Sequence, residues 1–82
     1  MLDATAGLLE QARTAQAEGD ENQAEALSQR AQRIDSQNAR VYLALSEFYA
    51  ETGRHSAARS MAERGLLYCQ EPVCGRLQAQ LR

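Results

Sequence analysis

Two thiols and one imidazole are the most reactive side chains in this sequence, and their spacing decides what chemistry they can support. Cys69 closes one helical pattern and Cys74 falls in the first turn of the next, with the turn Gln70-Glu71-Pro72 between them. Such a turn can bring two Cα atoms within the roughly 4.4 to 6.8 Å that a disulfide requires. A Cys69–Cys74 bridge is therefore the expectation, with two buried, reduced thiols as the alternative. For so short a loop it would stabilise by roughly 2 kcal/mol in the chain-entropy model. An even cysteine count, close in sequence in a small domain, favours an oxidising compartment, which for a bacterial protein is the periplasm.

The same residues argue against metal and against catalysis. The thiol spacing is not Cys-x2-Cys, and the single histidine, His55, stands 14 residues from Cys69, about 21 Å along an α-helix. No metal site and no cofactor are expected. His55 follows Gly53-Arg54 at a turn, where it is read as solvated, and no nucleophile or carboxylate is placed around it. A general base needs a positioned partner and a water-poor pocket, so no catalytic residue is assigned. A glycine-rich phosphate loop is also missing.

These side chains hang on a chain that must be helical. Eighty-two residues fit one domain, since a chain of this size buries only about 60% of its unfolded surface and has one core to build. Its apolar content is mostly Ala and Leu, with no Trp and only one Pro, which permits long helices packed through small residues. The net charge of −2, with all nine basic residues being Arg, disfavours a phosphate-binding surface, so no nucleic-acid partner is expected. No stretch approaches the roughly 18 apolar residues of a membrane span. The start Met1-Leu2-Asp3-Ala4 lacks the basic and apolar regions of a signal peptide.

A period of 34 residues organises the chain. That shift superposes Gly19 on Gly53, Ala24 on Ala58, Leu9 on Leu43 and Arg30 on Arg64. It also matches residue classes: Leu8 with Tyr42, Ala12 with Ser46, Leu27 with Met61, Ala31 with Gly65 and Ile34 with Tyr68. Each unit reads as two helices about a turn. In the second, Val41, Leu45, Phe48 and Tyr49 recur at helical spacing until Glu51-Thr52-Gly53, and Ser56 is placed to cap the next helix. In the first, one helix ends before Gly19 and the other runs from about Asn22 to Ile34. Gly19 and Gly53 stand where a left-handed residue closes a helix. The small pairs Ala12/Ala24 and Ser46/Ala58 let the paired helices approach closely. The expected core includes Leu8, Ala12, Ala24, Leu27, Leu45, Tyr49, Ala58 and Met61. A plain helical bundle with an accidental spacing is the competing architecture. Beyond Pro72, expected at the first position of a new helix, Val73, Leu77 and Leu81 share one face and suit a capping helix. Glu21 and Glu25 near a helix start, and Arg30 and Arg33 near a helix end, are read as dipole charges.

This pattern resembles the tetratricopeptide repeat. Tyr42, Leu45 with Ser46, Tyr49, Gly53, Ala58 and Gly65 occupy that family's positions in the second unit. The first keeps Leu8, Ala12, Gly19, Ala24 and Ala31 but has Gln11, Ala15 and Ser28 where the family carries bulkier residues, so its packing should be thinner. Ser36 and Gln70 stand where the family's closing proline would be. The resemblance implies an all-α fold of two antiparallel helical hairpins in a right-handed stack, about 5–38 and 39–70, with a capping helix at about 72–81, all in a single domain over 1–82. It also implies a non-catalytic interaction module whose first helices line a groove for a protein partner. By position that face comprises Leu9, Arg13 and Gln16 in the first unit and Arg40, Leu43, Glu47 and Glu51 in the second. Leu9 and Leu43 are expected to be exposed there. The subgroup that clamps chaperone carboxylates uses Lys and Asn at positions where this chain has Leu9, Arg13 and Ala44, so that clamp is not expected.

The stretch from Ala39 to Cys69, with its trailing second cysteine, also looks like the C-terminal repeat region of some proteobacterial outer-membrane lipoproteins. Among these is an activator of a bifunctional peptidoglycan synthase, a penicillin-binding protein. That likeness implies a periplasmic location, with anchoring to the outer membrane through a segment outside this chain and no membrane insertion of the chain itself. Self-assembly, as a homodimer or scaffold stacking through Leu8 or the C-terminal flank, is the alternative function.

Overall fold

The computed structural model describes residues 4–82; Met1, Leu2 and Asp3, on which the expectation about a signal peptide partly rested, lie outside them. Five helices follow in order: α1 (Ala4–Ala17), α2 (Glu21–Ile34), α3 (Ala39–Glu51), α4 (His55–Gly65) and α5 (Val73–Ala79). The described residues are 75% helical with no strand. The fold is all-α, with α1/α2 and α3/α4 as helical hairpins and α5 as a short terminal helix.

The two hairpin turns are near copies. Gly19 and Gly53 have φ of 83° and 82°, the left-handed conformation that costs glycine no Cβ clash. In each turn the glycine N–H reaches back three residues, to the carbonyls of Gln16 and Ala50. The following N–H, of Asp20 or Arg54, reaches back five, to Ala15 or Tyr49. This double closure satisfies carbonyls that the helix end would orphan. Helix starts differ more. Asp20 accepts from the Gln23 N–H and Asn38 from the Arg40 N–H, whereas α4 begins at His55, after Arg54, without a side-chain cap. Ser56 is therefore inside the helix rather than its cap: α4 starts at His55, two residues before the start that a Ser56 cap would give. Pro72 precedes α5 instead of opening it.

Small residues set the spacing within each hairpin. Ala12, Ala24, Ser46 and Ala58 are all buried. At the second crossing the Ser46 hydroxyl donates to the Ala58 carbonyl at 2.8 Å, so even the polar atom at closest approach has its partner. The buried positions of the first hairpin are Thr5, Ala12, Ala15, Ala24, Ser28 and Ala31. Apart from Leu77 of α5, the large buried side chains come from α3, including Val41, Tyr42, Leu45 and Phe48. The thin packing expected of the first unit is what the structure has. Leu8, Leu27 and Met61 pack against the core only half-buried, while the other five expected core residues are buried.

A second cluster joins Ala39, Leu43 and Ala62 to Leu77, with Val73 and Leu81 at its edge. Leu77 is fully buried. It lies over Gly65, where a Cβ would sit 2.9 Å from both Leu77 methyls and from the Tyr42 Cβ, so residue 65 must lack a side chain for α5 to dock. The disulfide Cys69–Cys74, with Cα atoms 5.2 Å apart, ties the segment after α4 to the first turn of α5.

The hairpins are joined by a polar cluster as well as by apolar contact. The Tyr49 hydroxyl and an Arg54 guanidinium N–H each donate to Glu25 Oε2 at 3.0 Å. Gln29 Nε2 donates to the Tyr49 oxygen at 3.3 Å. Glu25 is thus a bond between hairpins, not merely a charge answering the α2 dipole. Burial pushes the Tyr49 phenol above its ordinary value of 10; the Glu25 carboxylate acts in the same direction and the Gln29 hydrogen bond opposes it, so Tyr49 remains a donor at neutral pH.

Replacing Ala58 with Leu should overfill the closest approach of α3 and α4 and destabilise the domain by about 1 to 3 kcal/mol. In a domain of this size that lowers Tm by roughly 4 to 8 °C per kcal/mol. An unchanged melting temperature would contradict the packing register described.

Candidate functional site

The helical period places Leu9, Arg13 and Gln16 on one stripe of α1, and Arg40, Leu43, Glu47 and Glu51 on one stripe of α3. The structure brings the two stripes to the walls of one concavity. It comprises a groove of about 750 Å³ at the C-terminal ends of α1 and α3 and an adjoining cleft of about 420 Å³ at their N-terminal ends. The two spaces share Leu9, Arg13, Ala44, Glu47 and Arg76 and are therefore continuous. Gln16 and Glu51 line the groove, and Arg40 and Leu43 the cleft. Each of the seven residues assigned by position thus reaches this surface.

Their roles are not equal. Leu43 is only 5% exposed and belongs to the core cluster under α5; the expectation of an exposed Leu43 is corrected, because α5 covers that part of α3. Leu9 is half-buried against the main core and offers part of its side chain to the groove. The groove walls are chiefly polar, whereas the cleft presents apolar surface as well, with Leu9 and Val73 in its lining.

Two of the carboxylates already have internal partners. Glu47 pairs with Arg76 of α5 at 3.0 Å, and the Glu51 carboxylate accepts a hydrogen bond from the Gln16 amide across the groove. Arg13 and Arg40 are exposed and have no ion-pair or side-chain hydrogen-bond partner among the described residues. Arg76 is the wall residue that sequence reasoning missed. Its only signal was its place beside Leu77, and that signal becomes informative only once the docking site of α5 is known.

Nothing in the groove is arranged for bond chemistry. Its hydroxyl side chains are those of Thr5, Ser28 and Thr52, and no histidine or cysteine lines either space to activate them. His55 is exposed as the first residue of α4 and lies outside it. No group of three or more His, Cys, Asp or Glu able to hold a metal occurs among the described residues. None of the described helices is long and apolar enough to cross a membrane. What the arrangement can do is hold a segment of chain between charged walls.

Among protein-family models, that of the tetratricopeptide repeat matches residues 15–81, from the last turn of α1 through α2, the second hairpin and α5. Comparison with curated proteins gave no match, and neither did comparison with solved structures.

The different burial of the two period-related leucines is directly measurable. Leu43→Ala should cost about 2 to 5 kcal/mol, as for a buried leucine, while Leu9→Ala should cost about 1 kcal/mol or less, for partial burial. Urea unfolding followed by circular dichroism measures both. Equal losses would mean that α5 does not cover α3 as described.

Proposed function

This chain belongs to the tetratricopeptide repeat family, whose repeats generally mediate protein–protein interaction and whose domains are typically non-catalytic, and on that premise we propose that it is the partner-binding module of a bacterial periplasmic lipoprotein that regulates a peptidoglycan synthase. The observation that carries the binding role is the two-walled concavity with Arg13 and Arg40 left unpartnered in it. Binding energy concentrates in a few contacts, and arginine is prominent among them. A groove only two hairpins long favours one extended or helical segment over a broad interface.

The periplasmic setting is supported by the Cys69–Cys74 disulfide, since such bonds persist in oxidising compartments. The likeness of Ala39 to Cys69, with the trailing Cys74, to outer-membrane lipoprotein activators suggests the partner class, a bifunctional penicillin-binding protein. Anchoring would then be supplied by a segment outside this chain. A second reading, self-assembly through the C-terminal flank, is favoured by the exposure of Leu67 (75%) and Tyr68 (41%) beside α5. Leu8, the other surface considered for stacking, is half-buried and packed on the core. Sedimentation separates the readings: a concentration-dependent dimer favours self-assembly, a persistent monomer a different partner.

Under the binding proposal the domain should associate with a periplasmic penicillin-binding protein and raise its synthase activity. Reversing charge at Arg13 and Arg40 together should weaken that association by about tenfold, the effect expected of two exposed charge contacts, with Tm unchanged. Full retention of binding would remove the groove from the mechanism. Independently, material isolated from the periplasm and denatured without reductant should titrate with no free thiol; two free thiols would overturn the compartment assignment.

A further inference from the structure

Charge is not spread evenly along the concavity. At the N-terminal end of α1 and α3 the cleft carries Arg40, and Arg13 stands between cleft and groove; neither is paired. Glu10 also lines that end, and the Glu47–Arg76 pair adds no net charge there. Arg40 and Glu10 offset each other there, so the +1 of this half comes from the unpaired Arg13 at the junction of cleft and groove. At the opposite end Glu21 and Glu51 line the groove and the cleft does not reach them. Glu51 is hydrogen-bonded by the neutral Gln16 amide, which leaves its charge in place, and Glu21, in the first turn of α2, has no ion-pair partner among the described residues. That end sums to −2. A chain of net charge −2 has thus separated opposite signs along a single groove.

We infer that this bipolar groove selects a short extended segment of a partner protein that is acidic at one end and basic at the other, its carboxylates over Arg13 and Arg40 and its cations over Glu21 and Glu51. The inference rests on the groove being the binding face, as proposed above, and adds the chemistry of the occupant. Arg40 and Glu51 are separated by 11 helical steps of α3, about 16 Å, which an extended strand covers in about five residues. The central Glu47–Arg76 pair separates the two ends and presents a polar surface without net charge. Opposed charges orient the bound segment, and a segment of uniform sign is repelled at one end.

The test uses two labelled peptides of about seven residues, the five that span the groove with about one more at each end, identical in composition and neutral overall. One carries two Asp at one end and two Arg at the other around an apolar centre; its isomer alternates Asp and Arg. Fluorescence anisotropy at about 50 mM salt, where exposed charges are weakly screened, should show the segregated peptide binding about tenfold more tightly. The variant R13E/R40E should lose that preference. The fourfold swap R13E/R40E/E21R/E51R should recover it, because the peptide can bind in reverse, and circular dichroism of each variant checks that the fold is kept. Equal affinities, no saturable binding of either peptide, or no recovery in a folded fourfold variant would each overturn the inference. If the peptides fail while the intact penicillin-binding protein still binds in an Arg13- and Arg40-dependent way, the groove remains the docking face and only its charge polarity is refuted.

Discussion

Leu77 pressed into the notch above Gly65 is the contact on which the functional face depends. A methyl group at position 65 would meet both Leu77 methyls and the Tyr42 Cβ at 2.9 Å, closer than packed carbons approach. With glycine there, α5 settles across α3 and α4, seals Leu43 and Ala62, and swings Arg76 to the edge of the groove. An isolated helix of seven residues is not stable in water; α5 exists because Leu77 is buried and because the Cys69–Cys74 bridge limits where its first turn can go. One apolar side chain and one covalent link therefore convert an exposed flank into a wall of the groove.

The first hairpin depends on the second in a comparable way. Its buried positions are filled with Ala, Ser and Thr, which contribute little apolar area, and its larger residues are only half-buried against side chains of α3. The Glu25, Tyr49, Arg54 and Gln29 cluster adds direction to that contact. An exposed ion pair alone contributes little, but the Tyr49 hydroxyl and the Arg54 guanidinium of the second hairpin both donate to Glu25 of the first, and these two charge-assisted bonds fix the mutual rotation of the hairpins. That rotation sets the distance between the α1 and α3 stripes, and so the width of the groove.

The carboxylates and guanidiniums of the groove are unequally satisfied. Arg76 neutralises Glu47 from within the fold, leaving Arg13 and Arg40 as the cations available to an incoming group. With the groove walls chiefly polar, affinity would come from a few charged contacts, and specificity from their order along the cleft. Such an interface depends on ionic strength and tolerates exchange of partners, as suits regulation more than permanent assembly.

Much of the fold was legible because its determinants are local. The 34-residue period, the left-handed glycines at 19 and 53 and the small residues at the crossings act through backbone sterics and helix spacing, and each does in the structure what its type requires. The two stripes facing the groove follow from helical periodicity in the same way. What the period could not distinguish was Leu9 from Leu43, or Ala31 from Gly65: equivalent positions with different surroundings, since only the second hairpin has α5 packed on it. Glu25 and Arg54 lie 29 residues apart, as do Glu47 and Arg76, and no local pattern relates them. The residue types along the chain determined where helices turn and approach; where α4 and α5 start, which leucine is sealed, which carboxylate is neutralised and which arginines stay free were decided by the tertiary structure, because caps, burial and ion pairing depend on neighbours in space.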